Sequence, residues 1–215
     1  GWGLELALGR YVNAWFGLVP ALVTGRGWVW QLFTYIFIHG GFWHFFFNAF
    51  MLWFLGPALE PALGSRKYLA YFIFCGAAAG LFTALVMPSS MVPVVGASGA
   101  IYGLLYAFAA LNPDQVVYMY FFFPMTARQM VIFLGGMSLV LSFTAPHSGV
   151  ANFTHLSGLI AGWLYFKAPG WLERFRTRGE RAGERPEGPA DDGVDALLDK
   201  ISRKGEGALT SRERA

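Results

Sequence analysis

A serine and a histidine in two separate apolar segments have the side chains needed for acyl transfer. Ser98 lies in GASGAIYG at residues 96–103, and His155 lies in ANFTHLSGLIAG at residues 151–162. A histidine that accepts the hydroxyl proton makes a serine nucleophilic toward a carbonyl carbon. The alternative for Ser98 is a helix cap, which is common for a serine that opens a helix. The sequence around Ser98 leaves both interpretations open.

Two further polar side chains could stabilise the oxyanion that such an attack creates. His44 and Asn48 are four residues apart, hence on one face of a helix, and the backbone N–H of Ser98 would be a third donor. Tyr102 lies one turn beyond Ser98 and could pack against the imidazole. Taken singly, His44 and Tyr102 could be ordinary core residues, and Asn48 could bond two helices together.

The carboxylate of a catalytic triad has no candidate at the required depth. Glu60 is 16 residues beyond His44 and Asp114 is 16 residues beyond Ser98, about 24 Å away along a helix. A hydrolase built on these residues would therefore use a Ser98–His155 dyad.

The composition indicates that these residues lie in a membrane. The chain is 55% hydrophobic, 18% aromatic and 13% charged, whereas an ordinary soluble domain is roughly 25% charged. Most of the charged residues lie from Lys167 onward, so an apolar body precedes a charged tail. We therefore expect the lipid bilayer as a partner, no nucleic acid, no cofactor and no metal.

The apolar runs predict an all-α polytopic membrane protein. The runs cover residues 41–63, 67–87, 98–112, 127–143 and 151–168. The run that begins at Ser98 is too short to cross a bilayer, which takes about 20 residues. It follows an irregular stretch at 88–97 with two prolines, and such backbone is tolerated at membrane depth only when protein or a wet cavity surrounds it. Arg66, Lys67 and Arg128 in the short loops put the tail on the cytoplasmic side.

Paired glycines suggest that the two helices of the dyad meet. Gly99 and Gly103 are four apart on one, and Gly158 and Gly162 are four apart on the other. Small residues at this spacing let membrane helices approach closely. Generic helix packing explains the same spacing equally well.

Three segments together resemble the rhomboid family of intramembrane serine proteases. HGGFWHFFFN at 39–48 is similar to the family's His-x4-His-x3-Asn signature, GASG at 96–99 to its Gly-x-Ser-Gly motif, and NFTHLSGLIAG at 152–162 to its last histidine-bearing helix. The resemblance covers residues 16–168 in the family's order.

The resemblance implies a fold and a set of residue roles. The fold would be the rhomboid-like helical bundle, a six-helix core whose first transmembrane helix is missing or truncated here. Ser98 would be the nucleophile and His155 the base, Gly96 would shape the active-site loop, and Tyr102 would pack on His155. The oxyanion side chains would be His44 and Asn48, with His39 mainly structural.

The resemblance also implies a substrate class and a location. Substrates would be transmembrane proteins, and the location would be a bacterial inner membrane with the tail in the cytoplasm. One departure is Trp30-Gln31, which stands where some members have Trp-Arg.

The chain divides into three predicted regions. Residues 1–169 form the transmembrane protease domain, residues 170–193 a disordered charged linker, and residues 194–215 a short amphipathic cytoplasmic helix. The partner of this tail is unknown. The Pro/Gly/Ser-rich stretch at 144–152 is a candidate mobile lid.

Other function classes fit less well. A soluble lipase would need Gly-x-Ser-x-Gly, but position 100 is Ala. A metal hydrolase using His39, His44 and His155 lacks a His-Glu-x-x-His motif and a nearby carboxylate. A transporter would be expected to have repeated halves. A catalytically inactive rhomboid-like protein that binds transmembrane segments remains the alternative.

Overall fold

The computed structural model describes residue 9 and residues 11–119, 122–144, 149–167 and 200–203. The chain forms two compact units, Gly1–Phe175 and Arg176–Ala215. In the first, the described residues include a helical stretch at 11–16, seven further helices, a single turn of 3-10 helix and one antiparallel hairpin. The elements after this stretch are α1 Pro20–Arg26, α2 Gln31–Thr34, the 3-10 turn Tyr35–Phe37, α3 Phe42–Leu63, α4 Ser65–Val86, α5 Ser98–Leu111, β1 Val116–Met119, β2 Phe123–Thr126, α6 Ala127–Thr144 and α7 Gly149–Lys167. In the second unit the described residues 200–203 are helical.

All five apolar runs are helices, α3 to α7, with ends close to those of the runs. Within the described ranges, α3, α4 and α6 are long and apolar enough to cross a membrane. Helix α5 has 14 residues, about 21 Å at a rise of 1.5 Å per residue, which is less than the hydrocarbon core of a bilayer. The prediction of an all-helical, polytopic membrane protein is confirmed.

Helix α5 is the centre of the bundle. It packs against α3, α4, α6 and α7, and most of its side chains are buried. The outward faces of α3, α4 and α6 instead carry exposed aromatic and aliphatic side chains, among them Trp53, Leu85 and Ile132. Such a surface is stable against lipid, so the short helix is enclosed by longer ones that contact the bilayer.

Helices α5 and α7 touch through their backbones at the paired glycines. A Cβ atom on Gly158 would overlap the carbonyl oxygen of Gly99, and one on Gly162 would lie 3.1 Å from the carbonyl oxygen of Gly103. That second carbonyl also accepts a hydrogen bond of 2.8 Å from the hydroxyl of Tyr71 on α4. The three helices are therefore fixed against one another at distances that only glycine permits.

The irregular stretch before α5 is paired with the N-terminal part of the chain. Leu18 and Val94 exchange two backbone hydrogen bonds of 2.8 Å, and the N–H of Gly96 donates to the carbonyl of Tyr35 at 2.9 Å. Buried backbone groups without partners are costly in a membrane. These bonds satisfy backbone groups at the end of the stretch, where Val94, Gly96 and Ala97 are buried.

A buried glutamine holds the N-terminal segment in place. Gln31 accepts a hydrogen bond from the N–H of Val19 at 3.0 Å and donates to the carbonyl of Ala14 at 2.8 Å. The neutral amide of Gln31 thus bonds one backbone donor and one backbone acceptor of the N-terminal segment. Because it has one acceptor and two donors, an amide can satisfy both kinds of backbone group.

The sequence interpretation missed the hairpin and the first two helices, and its tail predictions stay untested. Helix α1 begins with Pro20 and is followed by Gly27, whose φ of 69° is left-handed. Proline at the start of a helix and glycine just after its end are a usual pair. The linker predicted at 170–193 lies outside the described residues. The helix predicted at 194–215 does so as well, except for residues 200–203.

Candidate active site

The hydroxyl of Ser98 bonds to His155 and does not cap its helix. Ser98 is the first residue of α5, Ala97 occupies the N-cap position, and no side chain caps the helix. The Ser98 Oγ lies 2.7 Å from the Nε2 atom of His155 on α7. This is the usual distance for a hydroxyl that donates to an imidazole nitrogen. The capping alternative for Ser98 is therefore wrong.

Tyr102 fixes the plane of the imidazole. The rings of Tyr102 and His155 are stacked, with centroids 4.6 Å apart and planes 9° from parallel. One turn separates Tyr102 from Ser98 on α5, so the same helix holds both the hydroxyl and the ring that supports the base. Ser138 on α6 donates to the Tyr102 hydroxyl at 3.5 Å. The sequence interpretation missed Ser138. The usable signal was a polar residue within the apolar run 127–143, because polar residues in membrane helices are costly.

Glu60 and Asp114, the two carboxylates among the described residues of the body, lie far from the dyad. Asp114 follows the C-terminal end of α5, about 20 Å from Ser98, and pairs with Arg128 at 3.9 Å on the surface. Glu60 is exposed near the end of α3. Neither orients His155, whose position is fixed by packing on Tyr102.

His44 lies against the loop that precedes Ser98. Gly96 in this loop has a φ of 116°, and a Cβ atom there would lie 2.6 Å from the Nε2 atom of His44. Glycine is needed for both reasons, since the backbone conformation is left-handed and the space is taken. The N–H of Gly40 donates to the Nδ1 atom of His44 over a long 3.4 Å. In a neutral ring the proton then lies on Nε2, the atom that faces the loop.

Asn48 is buried one turn along α3. Its Nδ2 atom donates to the backbone carbonyl of His44 at 2.7 Å. That bond uses one of the two N–H groups of the amide and leaves the other for a second acceptor. The Oδ1 atom is buried and bonds to nothing in the described part of the chain. A buried polar atom of this kind in a membrane helix is costly, which is typical of a functional position.

His39 precedes α3 and contacts His44 edge to face, with ring centroids 5.3 Å apart. Its ring also meets Phe45 at 5.4 Å. The ring of His39 thus packs against His44 and Phe45. His39 itself is not hydrogen-bonded to Ser98 or His155.

The N-terminal end of α5 adds a favourable electrostatic field. The first N–H groups of a helix have no partner within it, and the aligned peptide dipoles place partial positive charge there. Ser98 stands at this end, so negative charge that develops next to it would be stabilised. Across the described ranges, no three His, Cys, Asp or Glu side chains converge as metal ligands would. The arrangement suits nucleophilic attack on a carbonyl by a serine.

The candidate lid is only partly described. Thr144 ends α6 and Gly149 begins α7, and residues 145–148 between them lie outside the described residues. The described lid residues therefore belong to the ends of two helices.

Known proteins match this chain over the region that contains the site. The rhomboid domain family matches residues 26–169. The chain is 32% identical over 145 residues to "Putative rhomboid protease YdcA" of Bacillus subtilis (strain 168), which covers 66% of this chain and 68% of that protein. It is 31% identical over 157 residues to the rhomboid protease GluP of the same organism, covering 72% of this chain and 29% of GluP.

A eukaryotic relative extends the match beyond bacteria. The chain is 30% identical over 159 residues to the mitochondrial rhomboid protein 1 of Saccharomyces cerevisiae, covering 69% of this chain and 44% of that protein. The matched part is thus less than half of this relative and of GluP. The matched domain contains most of the apolar body and its membrane-spanning helices, so this chain is an integral membrane protein. The match over residues 26–169 shows that it belongs to the rhomboid family.

Proposed function

We propose that this protein is an intramembrane serine endopeptidase that hydrolyses peptide bonds in or near transmembrane segments of other membrane proteins. The observation that carries the proposal is the 2.7 Å hydrogen bond between Ser98 and His155. The proposal is also supported by relatives whose names identify them as rhomboid proteases. Ser98 is the nucleophile and His155 is the general base.

The imidazole of His155 takes up and releases a proton twice, once in each half of the reaction. The Oγ atom of Ser98 attacks the carbonyl carbon of the substrate while Nε2 of His155 takes the hydroxyl proton. The imidazolium then protonates the leaving amine, and the C–N bond breaks to leave an ester on Ser98. Water hydrolyses this ester, with His155 taking a proton from the water and returning it to Ser98. The stacked ring of Tyr102 keeps the imidazole aligned through both steps.

The negative charge on the carbonyl oxygen is stabilised by donors from two helices. The backbone N–H of Ser98 lies at the positive end of α5. Nε2–H of His44 faces the loop before Ser98, and Asn48 has a second N–H group that its bond to His44 does not use. Donors fixed in advance and removed from bulk water stabilise such charge without reorganisation.

The site's depth in the membrane defines the substrate class. A transmembrane helix uses its carbonyls in its own hydrogen bonds, so a substrate must unwind locally before Ser98 can attack. Substrates are therefore single-span proteins with glycine, proline or other helix-weakening residues near one end. No cofactor takes part in this reaction.

The charge of the short loops supports the proposed orientation. Arg66, Lys67 and Arg128 lie at the ends of helices opposite Ser98, and such residues are enriched on the cytoplasmic side. We place the protein in a bacterial inner membrane with the charged tail in the cytoplasm. The dyad then opens toward the outer side.

Labelling by a fluorophosphonate tests the nucleophile directly. The wild-type protein in liposomes should be labelled and should cleave a transmembrane substrate. Ser98→Ala should lose both activities, while Ser142→Ala, which alters a half-buried serine bonded to its own helix, should keep them. Labelling that persists in Ser98→Ala would remove the nucleophile assignment. A folded wild-type protein that neither reacts nor cleaves, yet binds transmembrane segments, would support the inactive alternative instead.

A further inference from the structure

The hairpin β1–β2 has apolar side chains that are exposed among the described residues of the protein. One face carries Val117, which is buried, opposite Met125. The other face carries Val116 and Tyr118, which are 53% and 66% exposed. At the far end of the hairpin, Phe122 and Phe123 are 80% and 61% exposed.

The base of the hairpin is fixed at the surface of the membrane. The N–H of Ala127 donates to the carbonyl of Gln115 at 2.8 Å, and the N–H of Arg128 donates to that of Pro113 at 3.2 Å. Helix α6, one of the helices able to cross a membrane, begins at Ala127 without an intervening loop. The 18 residues of α6 extend about 27 Å, and the hydrocarbon core of a bilayer is about 30 Å thick. The whole helix is therefore needed to cross the core. The hairpin must therefore start where the hydrocarbon ends.

The charged residues nearest to the hairpin lie at its base. Residues 115–127 contain no charged side chain. Asp114 and Arg128 flank them, pair with each other at 3.9 Å and are largely exposed. Their net charge is zero, so the hairpin offers an apolar surface without electrostatic attraction for a partner.

Neither water nor hydrocarbon suits this hairpin alone. In water, two short strands with exposed aromatic side chains and no charge invite edge-to-edge pairing with other chains. In hydrocarbon, the unpaired N–H and C=O groups on the outer edges of both strands would have no partners. The interfacial zone of a bilayer meets both needs, because it hydrates backbone groups and favours aromatic rings.

We propose that the hairpin is a membrane-interface anchor whose partner is the phospholipid surface at the C-terminal end of α5. Tyr118, Phe122 and Phe123 insert among the lipid headgroups and upper acyl chains. Because the hairpin has no net charge, the insertion does not depend on anionic lipid. The anchor fixes the connection between α6 and α5, whose other end carries Ser98.

A spin label at Phe122 measures the depth directly. The full chain with Phe122→Cys and the buried Cys75 replaced (Cys75→Ala) is placed in phosphatidylcholine vesicles. Collisions of the label with oxygen, which concentrates in lipid, are compared with collisions with a water-soluble nickel chelate. We expect oxygen to dominate, at a depth of about 5–10 Å below the headgroups, with no shift on adding phosphatidylglycerol. Tyr118→Cys, on the exposed face, should give the same result.

Two reference positions calibrate the measurement. Ser65→Cys, exposed at the α3–α4 turn on the same side of the bundle, should be reached by the nickel chelate. Ile132→Cys, 68% exposed on α6, should be reached by oxygen. The anchor is refuted if labels at Phe122 and Tyr118 behave like the one at Ser65. Protection from both reagents would refute it too, since protein, such as a second copy of the chain, would then cover the hairpin.

Discussion

One methyl group added at Gly158 should break the hydrogen bond between Ser98 and His155 without changing either side chain. A Cβ atom there overlaps the carbonyl oxygen of Gly99, so α5 and α7 must separate by roughly 1–2 Å to regain van der Waals spacing. Ser98 is adjacent to Gly99, and His155 lies one turn before Gly158. Their 2.7 Å bond would then exceed ~3.5 Å and cease to be a hydrogen bond.

The expected loss follows from the contribution of the base. General base catalysis supplies about 10²–10⁴ in rate, and a misplacement of 1 Å costs about 10². We therefore expect Gly158→Ala to lower kcat by about 10²–10⁴, with an overpacking cost of about 1–3 kcal/mol in the free energy of unfolding. The measurements are cleavage of a transmembrane substrate in liposomes, fluorophosphonate labelling of Ser98, and thermal unfolding followed by circular dichroism.

Substitutions at two other glycines serve as controls for Gly158→Ala. Gly136 on α6 has nothing within 4 Å of its Cβ position, so Gly136→Ala should be neutral or slightly stabilising. Gly162→Ala meets the Tyr71 hydroxyl at 2.7 Å, two turns from His155, and should cost more in stability than in rate. If Gly158→Ala folds and cleaves like the wild type, backbone contact between α5 and α7 does not hold the dyad.

Three further results are expected. Asn48→Ala should lower kcat by about 10²–10³ if its amide binds the oxyanion; an unchanged kcat in a less stable protein would leave it a purely structural residue. Gln31→Leu should destabilise the fold by about 1–3 kcal/mol, because the buried N–H of Val19 loses its partner. Gln115→Leu, at an exposed glutamine, is its control in thermal unfolding, and equal effects would mean that Gln31 does not hold the N-terminal segment in place. Replacing helix-weakening residues of a substrate with leucine should slow cleavage in liposomes, and an unchanged rate would mean that local unwinding is not limiting.

The features that the sequence did not reveal depend on contacts between distant segments. The hairpin lacks an Asn-Gly or Asp-Gly turn, and each strand has only four residues, nearly all apolar, so no alternation of polar and apolar residues marks it. A run of aromatic and β-branched residues with a proline can indicate edge strands, but the same run fits other interpretations as well. Gln31 was noticed only as a departure from a motif, since nothing near it predicts that it bonds Val19 and Ala14.

The sequence by itself determined the membrane class, the five apolar helices and the irregular entry to α5, because chain length and local apolarity record which segments lipid will accept. It also supplied a serine, a histidine and glycines at suitable spacings. Only the tertiary structure decided that Ser98 bonds to a histidine 57 residues away and that Gly99 meets Gly158. The physical reason is that such contacts arise from the close packing of whole helices, which fixes atoms to within an ångström. A local pattern can make that packing possible without specifying its partner.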